Sequence, residues 1–181
     1  MPAEITLYHG SIHIFDKIDI SYGKPFKDFG IGFYTSQDIE HSKNLALRNR
    51  NIEEIKFKRL QDKPKVQAWL YEYKFNLDNL ANLKFKQFQN ADKEWVEFVV
   101  KNRTSEVRQH DYDVVIGPTA NDNTRVTIQA FFAGLYGDIS TNTAIETFVK
   151  MIETDKLPPQ IYFGSNTATN LLIFQGRQLV Q

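Results

Sequence analysis

Three short segments hold the side chains best suited to chemistry: Leu7-Tyr8-His9-Gly10-Ser11, Phe29-Gly30-Ile31-Gly32-Phe33-Tyr34-Thr35-Ser36 and Gln160-Ile161-Tyr162-Phe163. His9 closes a short apolar run, where an imidazole can donate a hydrogen bond to a sugar hydroxyl. Gly10 leaves its backbone N–H and C=O open to a flat amide that a side chain would obstruct. Tyr34 follows two glycines and offers a ring for stacking, worth about 0.5–1.5 kcal/mol beyond the area it buries. Gln160, after Pro158-Pro159, carries an amide that accepts a hydrogen bond but cannot serve as a general base. A histidine, a ring and a polar terminal group on different strands of one cleft suit a planar base joined to a ribose.

Other chemistries find less support. There is no cysteine, which excludes disulfides, thiolate nucleophiles and cysteine-based metal sites. His13, His41 and His110 stand apart from one another and from carboxylates at ligand spacing, so no metal is expected. Gly30-Ile31-Gly32 lacks the third glycine of a dinucleotide fingerprint, and no serine has a nucleophile-elbow context. Asp122, in the loop Asn121-Asp122-Asn123, could orient an acceptor or act as a base; it serves equally well as an N-cap for a helix near Thr124. Arg103 pairs with Asp113, binds a diphosphate or simply ends a helix. The stretch from Lys43 to Lys65 is the one locally basic region. It reads first as a solvated helix face, and second as a docking surface for a diphosphate, a nucleic acid or an acidic protein. Few aromatics are interleaved there, so stacking on single strands is not supported.

The elements that must position these residues are short. Alternation predicts strands at Ile5–Tyr8, Gly32–Thr35, Val66–Phe75, Tyr112–Gly117, Ile161–Phe163 and Leu172–Phe174, the last continuing through Arg177–Val180. Helical spacing covers Asp38 to about Lys58, with Leu45, Ala46 and Leu47 as its buried contacts. It also covers Ala91–Arg103 and Arg125–Leu135. Thr143 with Glu146 three residues on reads as a capping box for a further helix. Strands and helices are interspersed without regular bridging, which makes the chain α+β. Its 181 residues suffice for a single domain, without internal repeats.

Hydrophobic residues at 41% and charged residues at 24% are ordinary for a globular protein. The 14 Phe, 8 Tyr and 2 Trp must fill a core, line a cleft or both. A formal net charge of zero argues against a surface built wholesale for nucleic acid. Met1-Pro2-Ala3-Glu4 lacks the pattern of a signal peptide, and no run has the roughly 18–20 apolar residues that span a bilayer. A cytoplasmic location away from membranes is expected.

The runs Tyr8-His9-Gly10-Ser11 and Gly30-Ile31-Gly32-Phe33-Tyr34 resemble the first two motifs of the histidine–tyrosine–glutamate ADP-ribosyltransferases, a class including diphtheria-toxin-like enzymes and poly(ADP-ribose) polymerases. A bacterial family of toxin-like domains of unknown function is more similar still. It shares the Asp-x-Val-x-Gly-Pro-x-Ala-Asn-Asp run at Asp113–Asp122 and the Trp-x-x-Phe-Val-x-x-Asn-Arg run at Trp95–Arg103. The resemblance extends from Leu7 to Phe174. It implies an ADP-ribosyltransferase-like split β-sandwich with flanking helices, its cleft between two small sheets, with NAD as co-substrate and no metal.

By that resemblance His9 holds the nicotinamide ribose, Gly10 grips the carboxamide and Tyr34 stacks on the ring, with Ser11, Gly32, Phe33 and Asn121 also lining the site. Polymerases carry a second tyrosine 11 residues after the first; here that place is Leu45, an aliphatic wall. Gln160 stands at the family glutamate, which binds the ribose 2′-hydroxyl and stabilises positive charge as the bond to nicotinamide breaks. A neutral glutamine implies mono-transfer rather than chain elongation. On this reading Tyr34→Phe keeps most NAD binding, and Gln160→Glu raises turnover. The implied context is a bacterial toxin or effector with a macromolecular acceptor, protein or nucleic acid, and an antitoxin partner. Two alternatives are a catalytically silent NAD or ADP-ribose binding module and a nucleic-acid-directed transferase.

Overall fold

The computed structural model describes residues 3–59, 64–120, 124–151 and 158–181. Along the chain lie β1 (Glu4–Ser11), β2 (Phe33–Ser36), α1 (Ile39–Lys56), β3 (Ala68–Asn76), β4 (Phe85–Gln87), α2 (Lys93–Arg103) and β5 (Val114–Gly117). Then follow α3 (Thr124–Phe132), α4 (Asn142–Met151), β6 (Gln160–Phe163), α5 (Asn166–Thr169) and β7 (Ile173–Val180). Among the described residues all strands join one seven-stranded sheet in the order β4-β5-β6-β2-β1-β3-β7. The architecture is mixed α+β. Where two sheets were expected, one continuous sheet forms, and only β4–β5 is parallel, with α2 as the crossover.

The joint between β1 and β2 is slight. β1 registers with β3 along its whole length, from Glu4 opposite Asn76 to Ser11 opposite Trp69. With β2 it registers only at Tyr8 opposite Ser36. Beyond that pair the two strands part, and the side of Gly10 and Ser11 that faces β2 has no registered partner. β2 in turn pairs fully with β6, from Phe33 opposite Phe163 to Ser36 opposite Gln160.

Strand alternation sends the core to both faces. On one face Phe29, Trp95, Val99, Val115, Ile128, Phe148 and Tyr162 pack beneath α2, α3 and α4, and Ala46, Ala68, Leu70 and Val180 pack beneath α1. On the other, Leu7, Phe33, Tyr71, Tyr73, Phe75, Ile161 and Phe163 form a second cluster, closed by Phe15, Ile18 and Ile20 of the loop after β1. The aromatic excess thus fills core on both sides of the sheet.

Helix boundaries follow their caps. Asp38 accepts from the His41 N–H at the start of α1, and Asp92 from the Trp95 N–H at the start of α2. α4 is capped by Thr141, whose Oγ1 accepts from the Ala144 N–H, so Thr143 lies inside the first turn and is not the cap. α1 buries Ser42 and Ala46, while Leu45 is 37% exposed. The strip facing the sheet is therefore centred on small residues, with Leu47 packed at its edge and Leu45 turned to solvent. Among the described residues no helix is long and apolar enough to cross a membrane.

Candidate functional site

His9 lies on β1 where β1 and β2 part, and its Nδ1 stands 2.7 Å from the Tyr34 carbonyl oxygen. A carbonyl only accepts, so Nδ1 carries the proton and donates. Burial pushes the imidazole down to about 4, outweighing the upward effect of that hydrogen bond. The ring is neutral at pH 7, and Nε2 presents a lone pair. With the proton on Nδ1, Nε2 can accept a hydrogen bond but not donate one, the reverse of the direction expected from the sequence. The ring lies 4.3 Å from Phe33 and edge-on to Phe15.

Gly10 points the other way. A Cβ there would lie 2.1 Å from the Ser42 carbonyl oxygen and 3.0 Å from the Ala46 nitrogen. Its missing side chain lets α1 seat on β1, whatever its backbone also offers a ligand. Ser11 is buried and accepts from the His13 N–H. Gly32 is required because a Cβ would sit 2.2 Å from Cε2 of Tyr162.

Tyr34 is firmly held. Its hydroxyl donates to the Gly30 carbonyl at 2.7 Å and accepts from the Phe29 N–H at 3.0 Å. Those two bonds fold the turn in which Gly30 adopts φ +81°, a conformation that favours glycine. The ring lies 5.1 Å from that of Tyr162, whose hydroxyl donates to the Ile31 carbonyl. Burial, then the nearby Asp28 charge, raises the Tyr34 phenol well above its ordinary value, so it remains a donor.

Gln160 begins β6 and is 9% exposed. Its Nε2 donates to Asp28 Oδ2 at 2.6 Å and to the Pro118 carbonyl at 3.3 Å. Asp28 is 3% exposed. It also accepts from Arg103 Nε at 2.5 Å on Oδ1 and from the Ala120 N–H at 2.9 Å on Oδ2. Arg103 reaches the Ala120 carbonyl as well. Arg103 therefore pairs with Asp28 and not with Asp113, which accepts from the Lys84 N–H. Lys27, next in the chain, is pushed down by burial and then by the Arg103 charge.

The run Trp95–Arg103 and the described part of the run that begins at Asp113 meet on this network. The Trp95 indole N–H donates to the Pro118 carbonyl. Asn102 donates to the Phe98 carbonyl and accepts from the Gln109 N–H. A Cβ on Gly30 would lie 2.8 Å from Asn102 Oδ1. The helix end, the loop after β5, the turn before β2 and the start of β6 are tied together around one carboxylate.

The predicted residues are thus grouped unevenly. Tyr34, Gln160 and Asp28 gather on one face. His9 packs with Phe33 on the other and joins Tyr34 only through the backbone carbonyl. Leu45 stands exposed on α1. Asn121 and Asp122 lie outside the described residues. Asp28 was missed by sequence reasoning; an aspartate just before a glycine turn carries no spacing that separates it from a solvated loop residue. Lys43–Glu40 and Lys56–Glu53 are ion pairs within α1, which blunts the basic stretch. Among the described residues no group of three or more histidines and carboxylates is placed to hold a metal.

Fold and site define a mixed α+β protein whose seven-stranded sheet parts beside a neutral histidine, backed by a buried carboxylate–amide network. The chain belongs to the family described as protein of unknown function (DUF3990), whose model matches residues 5–174. No curated protein and no solved structure matches it.

Proposed function

We propose that the protein is an NAD-dependent mono-ADP-ribosyltransferase of the histidine–tyrosine type, with the parting of the sheet serving as the cleft of a split β-sandwich. The observation that carries this reading is the separation of β1 from β2 at Gly10, beside a neutral His9 with Nε2 to spare. The unregistered edge of Gly10 suits a carboxamide, which needs one donor and one acceptor in a plane. His9 Nε2 accepts from a ribose hydroxyl on its own face, and a ligand that passes through the parting meets Gln160 Oε1, an acceptor for another, on the opposite face. In the reaction the bond from ribose to nicotinamide breaks, a bond to an acceptor atom forms, and the acceptor's proton leaves. Gln160 brings no charge to this step, which fits single transfer without elongation.

The biological setting proposed is a cytoplasmic bacterial toxin or effector with a protein or nucleic-acid acceptor, restrained by an antitoxin. The test is incubation of labelled NAD with the protein and a cell lysate, followed by protease or nuclease treatment. Label lost to protease identifies a protein acceptor, and label lost to nuclease a nucleic acid. A second reading is a silent NAD or ADP-ribose binding module, favoured by the absence of a carboxylate at residue 160. Saturable NAD binding without label transfer or nicotinamide release supports that reading.

A further inference from the structure

We infer that Asp28 is a positioning residue that fixes the Gln160 amide with its oxygen turned toward the ligand, an inference that rests on the transferase reading above. The two groups facing Gln160 Nε2 are a carboxylate oxygen at 2.6 Å and a backbone carbonyl at 3.3 Å. Both can only accept, so the nitrogen must face them, and both amide hydrogens are committed. Oε1 is thereby set on the far side, as an acceptor of one orientation.

A charge-assisted hydrogen bond to the nitrogen also polarises the amide and draws electron density onto Oε1. The carboxylate absent at residue 160 thus acts from one residue deeper. Arg103 balances its charge, and the Ala120 N–H fills its remaining side. Asp28 is 3% exposed and touches no ligand itself. Its effect passes through Gln160.

A charge exchange tests this. Asp28→Asn brings a second amide against Gln160. If the new amide turns its NH2 toward Gln160, two donors meet or the glutamine flips; if it keeps its oxygen there, its NH2 meets the Arg103 Nε–H, and in either case the charge that polarises Gln160 is lost. Nicotinamide release should fall at least tenfold in kcat/KM. Asp28→Asn combined with Gln160→Glu keeps the pair's charge at one negative, lets the introduced asparagine amide donate to the introduced carboxylate, and should recover most of the loss. A double variant no faster than Asp28→Asn alone overturns the inference.

A second measurement needs neither NAD nor a stable variant at Asp28. In the wild-type 15N–1H spectrum, the Gln160 amide pair, assigned by its loss in Gln160→Met, should show separated, downfield protons protected from exchange. Peaks at free-glutamine positions overturn the anchoring regardless of NAD. An anchored amide in a wild-type protein that neither binds NAD nor releases nicotinamide instead overturns the transferase reading, and the proposed role with it.

Discussion

His9 couples protonation to folding. Its folded value near 4 lies below the ordinary 6.5, so between those pH values the unfolded chain binds more protons than the folded one. The contribution of a neutral His9 is fully present above about pH 6.5 and drains away as pH falls toward 4. His41 and His110 are depressed in the same direction, so the effect must be isolated by difference. The stability gap between wild type and His9→Ala, read from urea midpoints, should shrink across that window; a constant gap would mean that the ring is not held neutral by burial. Tyr34→Phe should not be the mild change its ring alone implies. It strips a partner from the Phe29 N–H and the Gly30 carbonyl, a loss of about 1–3 kcal/mol in denaturant unfolding. Gln160→Glu likewise departs from the simple expectation of faster turnover. It sets two carboxylates 2.6 Å apart, which can coexist only by sharing a proton. The folded state then binds protons more tightly than the unfolded one, so the variant should be destabilised at neutral pH and should recover as pH falls. Stability unchanged from pH 7 to 5 would contradict this placement.

At the scale of elements, α1 and the turn before β2 carry most of the consequence. Gly10→Ala forces a methyl into the Ser42 carbonyl at 2.1 Å, against backbone that cannot swing aside. It should cost about 1–3 kcal/mol or more and lift α1 from β1, visible as faster amide exchange through β1. Arg103→Met leaves Asp28 buried without its cation and should cost about 3–5 kcal/mol; a loss under 1 kcal/mol would show that the pair is not buried as described. The longer elements were legible because their periodicity is strong. β3 reads directly from Ala68-Trp69-Leu70-Tyr71, and α2 from Trp95, Val96, Val99 and Val100. β4 was not legible, since Phe85-Lys86-Gln87 is three residues long and is a strand only by pairing with β5. On α1 the expected Ala46 is buried and Leu47 packs against the same cluster, but Leu45 stands exposed and Ser42 takes a buried place by small size, which a hydrophobicity pattern does not record.

For the whole molecule, the sequence pointed to His9, Gly10, Tyr34 and Gln160 but not to the way they are joined. Local spacing reveals which residue types could act. It does not reveal that residues 28, 103, 120 and 160 converge, because strand order β5-β6-β2 is a long-range outcome of the fold. The same limit explains why one sheet stands where two were expected: a single register pair, Tyr8 with Ser36, joins the halves. What matters most is whether the parting of these strands at Gly10 is an NAD cleft. It is tested most directly by nicotinamide release from NAD by the purified protein, with and without cell lysate, beside His9→Ala. The expected result is release by the wild type, increased by lysate, and at least a tenfold loss in a folded His9→Ala variant. Release undiminished by His9→Ala, or no NAD binding and no release under either condition, would contradict it.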